Sequence, residues 1–225
     1  MGDEVWSYTQ SMPGAPLTAG YRRNPWAGIY GEQVASDLLP RYTEAALRGK
    51  VFIATSLPAG SAIPINTTTA PTFLLWNPLD SGVYVVPISF KAGFASGTGI
   101  AGAIGYNQLL GAGGAQGTAT TSVVTAITDI RPVTSIIGGS STPRARFATT
   151  ATIVTTTASY LTASGISQGA PITSTAAIWS MVDLFDGAIC LAPGTAFYPV
   201  ANTAIAEVDV CSMAFMELPY ATGIL

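Results

Sequence analysis

Hydrophobic and polar positions divide the chain into three textures. Residues 1–29 carry rings and prolines (Trp6, Tyr8, Pro13, Pro16, Tyr21, Pro25, Trp26) with neither a two-residue nor a 3.6-residue period, so they predict neither strand nor helix. Disordered tails are poor in aromatics and rich in charge. Five large rings in thirty residues instead fit an extended arm that orders against a partner through Trp6, Tyr8, Tyr21, Trp26 and Tyr30. From Tyr30 to Gly49 the pattern is helical: Glu32-Gln-Val-Ala-Ser-Asp-Leu-Leu leads to Pro40, and Arg41-Tyr-Thr-Glu-Ala-Ala-Leu-Arg-Gly follows. Pro40 suits the first turn of a second helical segment and Gly49 its stop, with a break expected near Leu39.

After Lys50 the texture changes to short runs rich in β-branched and aromatic residues, at 51–54, 73–76, 83–86, 88–92, 146–154, 188–191 and 208–217. Turn signals bound them: Asn77-Pro78, Asp80-Ser81-Gly82, Asp186-Gly187 and Pro193-Gly194. Such runs without intervening helices predict an all-β fold, an antiparallel β-sandwich or a barrel. The expected organisation is an extended N-terminal arm plus one short helical segment over 1–49 and a β domain over 50–225. In the last run Val208, Val210, Ser212, Ala214 and Met216 share one face, while Asp209, Cys211, Met213, Phe215 and Glu217 share the other. Both faces look covered in the middle, which marks an interior strand. Two segments, 111–122 and 155–175, consist mainly of Gly, Ala, Ser and Thr and predict loops or small-residue surfaces packed flat on neighbours.

Charge sharpens this picture. Only 9% of the 225 residues are charged, against roughly 25% in an average soluble domain. Mean hydropathy is +0.43, yet no run approaches the roughly 20 apolar residues of a membrane-spanning helix. A chain with so few charges is expected to bury surface in obligate interfaces, whose cores are depleted of charge. Net charge is −3 and the only lysines are Lys50 and Lys91, so no basic patch recommends nucleic acid as a partner. Acid at Asp3 and Glu4, with no apolar core after it, does not fit a secretory leader.

Candidate chemistry is thin. Gly97-Thr-Gly99-Ile-Ala-Gly102 has the glycine spacing of a dinucleotide turn, but that turn needs a following helix and an acid about 20 residues on. The residues after it, Ala103-Ile-Gly-Tyr-Asn, read as strand. Gly165-Ile-Ser167-Gln-Gly169 matches a nucleophile elbow, but the chain has no histidine to act as base. Asp183 and Asp186 read as turn residues, with Asp183 capping the turn. Glu207 and Asp209 read as the solvated start of a strand rather than a glycosidase pair or a calcium loop. Cys190 and Cys211 alone make no zinc site; with no oxidising compartment implied, two buried thiols are expected rather than a disulfide. Trp76 lies within an apolar run and reads as core rather than as a sugar-stacking platform; Trp179 is the other candidate platform. The expectation is a non-enzymatic protein with no cofactor or metal.

Four runs occur in a particular order: Tyr42-Thr-Glu-Ala-Ala-Leu-Arg-Gly-Lys-Val-Phe, Leu75-Trp-Asn-Pro-Leu-Asp-Ser-Gly, Asp186-Gly-Ala-Ile-Cys-Leu-Ala-Pro-Gly-Thr-Ala and Phe215-Met-Glu-Leu-Pro. In that order they resemble a family of tailed-bacteriophage virion proteins, over roughly residues 30–219 and excluding the arm. The resemblance implies a jelly-roll-like head protein, a cement or decoration subunit on the phage head surface, made in the host cytoplasm. It implies the major capsid protein as partner and carries no catalytic residues. Together with the scarcity of charge it implies a homotrimer, because capsid threefold positions match that symmetry. A phage tail or fibre component and a carbohydrate-binding β-sandwich are the alternatives.

Overall fold

The computed structural model describes residues 26–27, 33–34, 42–98, 103–109, 124–131, 133–136, 142–153, 159–164, 180–203 and 206–219. Ahead of the β domain come β1 (Trp26–Ala27), β2 (Gln33–Val34) and α1 (Thr43–Leu47). Then follow β3 (Val51–Thr55), β4 (Leu74–Trp76), β5 (Val83–Thr98) and β6 (Ile104–Leu109). Next are β7 (Val124–Arg131), β8 (Val133–Ser135), β9 (Arg146–Ile153) and β10 (Ser159–Ser164). Last are β11 (Ser180–Leu184), β12 (Ala196–Ala201) and β13 (Ala206–Pro219). The all-β antiparallel sandwich expected from the runs after Lys50 is what the chain forms.

One sheet has the order β10-β6-β12-β4-β9-β7 and the other β11-β5-β13-β3-β8. Four pairs nest from the outside of the chain inwards: β3 with β13, β4 with β12, β5 with β11 and β6 with β10. Successive pairs alternate between the two sheets, as when one long hairpin is rolled up, which is the topology of a jelly roll. β7, β8 and β9 leave between β6 and β10 and extend both sheets, β9 beside β4 and β8 beside β3. The facing sheets bury Phe52, Phe73, Phe90, Tyr106, Phe147, Phe197 and Phe215 in a common core. Tyr106 sits at its centre, with ring centroids 4.9 Å from Phe185, 5.2 Å from Phe197 and 5.7 Å from Phe90. The other face of the six-stranded sheet is buried too, through Leu74, Leu109, Tyr198 and Val200.

Local expectations hold at the turns. Gly49 has φ +67° and stands where the N–H groups of Gly49 and Lys50 donate to the carbonyls of Ala46 and Ala45. That is the paired closure of a helix on a left-handed residue, which glycine adopts without strain. Asp186 (φ +50°) and Gly187 (φ +86°) make a tight turn closed by Ala188 N–H donating to the Phe185 carbonyl. As expected, β13 is interior, between β5 and β3.

Three expectations need correction. The helix over 30–49 shrinks to Thr43–Leu47 among the described residues, and Gln33–Val34, inside the expected first segment, pairs antiparallel with Trp26–Ala27. An eight-residue stretch ending at a proline is below the length at which a helix sustains itself, and Gln33 and Val34 take a strand partner instead. The runs at 83–86 and 88–92 are one strand that continues through Pro87, where the register against Phe215 slips, the kind of site at which a strand tolerates proline. Residues 188–191 form no strand; Leu191 makes only an isolated bridge to Val85, because Pro193-Gly194 turns the chain before a ladder can extend.

Candidate interaction surface

The register of the five-stranded sheet sorts its outward side chains into rows. Val182, Lys91, Ser212 and Thr55 form one row, and Leu184, Ser89, Ala214, Ile53 and Thr134 the next. Val182 is 59% and Leu184 67% exposed, and Val210 beyond them 36%. Lys91 is the one charge in these rows. The inward neighbours on β11 behave oppositely: Met181 is buried, and the Asp183 carboxylate accepts the Tyr106 hydroxyl at 2.6 Å. Sequence alternation thus builds a sheet face of small polar and aliphatic side chains that is nearly free of charge, with its open apolar part at Val182 and Leu184.

A second feature lies where β13 ends beside the 78–82 turn. Glu217 falls in the inward set of β13 and is buried. Its Oε1 accepts the backbone N–H groups of Arg144 at 2.6 Å and Ala145 at 2.7 Å, and Arg144 Nη1 donates to the Ser81 carbonyl. Asn77, fully buried, joins the same corner to the far turn: its Nδ2 donates to the carbonyls of Val83 and Leu191 at 2.8 and 2.9 Å. Two open grooves meet at Thr142 and Arg144. The larger, about 480 Å³, runs along Pro78, Ile130, Val133 and Pro143 with Asp80 and Arg146 at its side. The smaller, about 200 Å³, includes Lys50, Phe52, Gly82, Glu217 and Pro219.

The acids of β13 correct the sequence reading most sharply. Glu207 and Asp209 are not a solvated strand start: they are 2% and 0% exposed. They share the inward parity of Cys211, Met213 and Phe215, and that alternation carried the signal. Both Asp209 carboxyl oxygens are buried without a hydrogen-bond partner. Burial, then the neighbouring Glu207 charge, pushes the Asp209 carboxyl up to about 7. Burial and the Asp209 charge in turn push the Cys211 thiol up. Cys211 is a buried free thiol as expected, whereas Cys190 is free but exposed, since the 188–191 run lies in a loop.

None of the chemical motifs gains a site. Strand β6 begins two residues after Gly102, where a dinucleotide turn needs a helix. Residues 165–169 and Trp179 lie outside the described residues. Among the described residues no three His, Cys, Asp or Glu side chains stand close enough to hold a metal, and no helix is long and apolar enough to cross a membrane. Trp76 packs half-buried against the outer cluster of the six-stranded sheet, as its apolar run predicts. Of the arm residues, Trp6, Tyr8, Tyr21 and Tyr30 lie outside the described residues, and Trp26 is placed only by its backbone in β1. The apolar sheet face and the Arg144 corner were not anticipated, because both depend on which strands become neighbours. No protein-family model, curated protein or solved structure matches the chain.

Proposed function

We propose that the protein is a structural virion subunit, a cement or decoration protein that binds the outside of a tailed-phage head. In this reading it works through protein–protein contact, with copies of itself as a homotrimer and with the major capsid protein. The observation that carries it is the open, nearly uncharged face of the five-stranded sheet around Val182 and Leu184, on a jelly-roll frame that suits closed assemblies. The resemblance of its turn and strand motifs to tailed-phage virion proteins supplies the particle. The experiment is location: purified particles and empty, tailless heads probed with an antibody to this chain. Label on the heads is expected; label confined to tails would assign it to the tail or fibre, and absence from particles would end the proposal.

A further inference from the structure

Cations are scarce in this chain, so where they gather is informative. The described basic side chains are Arg48, Lys50, Lys91, Arg144 and Arg146, and three of these five line the two grooves at the Arg144 corner. Lys50 and Arg146 are exposed, and their side chains make no hydrogen bond or ion pair. The carboxylates at the same grooves do not answer them: Glu217 Oε1 is taken by two backbone N–H groups, and Asp80 is exposed on the turn. The wall beside the cations is apolar, through Pro78, Ile130 (48% exposed), Val133 and Pro143. Its complement is an extended segment with acids next to a large apolar side chain. The chain has one pair of adjacent acids, Asp3-Glu4, and Val5-Trp6 follows it directly.

We propose that the larger groove beside Arg144 receives the Asp3-Glu4-Val5-Trp6 segment of a second copy of this chain. Asp3 and Glu4 face Arg146, Arg144 and Lys50, and Trp6 lies on the Ile130–Pro143 wall. The second copy as donor rests on the reading of the chain as a self-assembling subunit, and not on its place in a virus. The β domain begins at the same rim: Lys50, which lines the smaller groove, accepts the Glu217 N–H through its carbonyl. Arms exchanged there tie together copies whose sheet faces meet.

The probe is a fluorescent peptide of residues 1–12, titrated into full-length chain carrying Asp3→Asn/Glu4→Gln so that its own segment competes less. Saturable binding is expected. It should weaken about three- to fivefold with Arg146→Gln, the scale of one exposed ion pair, and further with Lys50→Gln. Rising salt should weaken it as well. Arg146 has no partner to lose, so its substitution should leave the melting temperature unchanged, whereas Arg144 also holds Ser81 and is left intact. Binding that ignores both substitutions and salt, or no binding up to about 1 mM peptide, overturns the groove. The donor is tested by exchange: tagged Arg146→Glu chain should capture Asp3→Lys/Glu4→Lys chain better than either captures itself. Peptide binding without that preference would seat the segment on its own chain and overturn the second-copy assignment, while leaving the virion reading to the particle experiment.

Discussion

Asp209 is the residue whose environment most departs from its chemistry. A carboxyl that is fully buried, without a hydrogen-bond partner and two positions from buried Glu207 favours the neutral form. Cys211 is its other titratable neighbour on β13; on β5 the nearest cation, Lys91, belongs to the outward row. With its pKa raised from 3.8 to about 7, Asp209 keeps a proton in the fold that the unfolded chain releases. Its contribution to stability is therefore fully present only below the unfolded value of 3.8 and falls as pH rises to about 7, then stays low. The drop is on the order of 4 kcal/mol at most. Denaturant unfolding at intervals from pH 4 to 8 should show Asp209→Asn gaining on the unsubstituted chain across that window. Parallel pH profiles would mean that the carboxyl is solvated. Asn77 is the opposite case, a buried polar group put to use: Asn77→Ala removes the Nδ2 donor to the Val83 carbonyl and should cost roughly 1–3 kcal/mol, read as a lower unfolding midpoint at unchanged slope.

At the scale of elements, β13 joins the two halves of the rolled hairpin, and its inward residues run from Asp209 through Phe215 to Glu217. Phe215 is fully buried, with its ring stacked 5.7 Å from Phe52, so Phe215→Ala should lower stability by roughly 3–5 kcal/mol; an unchanged melting temperature would contradict its packing. Strands such as β3, β9 and β13 were legible because runs of β-branched and aromatic residues bounded by turn signals mark them, and in β13 buried residues alternate with half-exposed ones. β12 was not legible: all six residues are buried, Phe197 in the inner core and Tyr198 in the outer cluster, so no alternation remains, and Pro199 argues against a strand. β10 was hidden in a run of small polar residues. The helix stop at Gly49 could be read locally because a left-handed residue needs glycine, while the fate of Gln33–Val34 depended on a partner, Trp26–Ala27, that no local pattern names. The candidate surface divides in the same way. The inward parity of Glu207 and Asp209 stood in the sequence, whereas Arg144 meets Glu217 across 73 positions.

On the scale of the whole molecule, β6 and β12 in the middle of the six-stranded sheet are buried on both faces, whereas the five-stranded sheet leaves part of its outer face open at β11. The uncovered face presents Val182 and Leu184 on β11, an edge strand, and an exposed apolar edge invites pairing with another chain. Two kinds of contact then separate by their response to salt. The Arg144 groove recognises charge, so raising salt from about 0.1 to 1 M, which shortens the screening length from about 10 to 3 Å, should release the arm segment. The sheet face carries almost no charge, so the same change should leave copies associated, since burial of apolar area does not depend on ionic screening. Light scattering at micromolar concentration should give about three times the 23.0 kDa chain mass in both salts. Val182→Glu/Leu184→Glu should reduce it to the mass of one chain. These side chains are more than half exposed, so the melting temperature of the subunit should change little, which separates loss of an interface from loss of the fold. A monomer before any substitution would leave the apolar face without a self-partner, and dissociation in 1 M salt would assign the assembly to the arginines instead of the sheet.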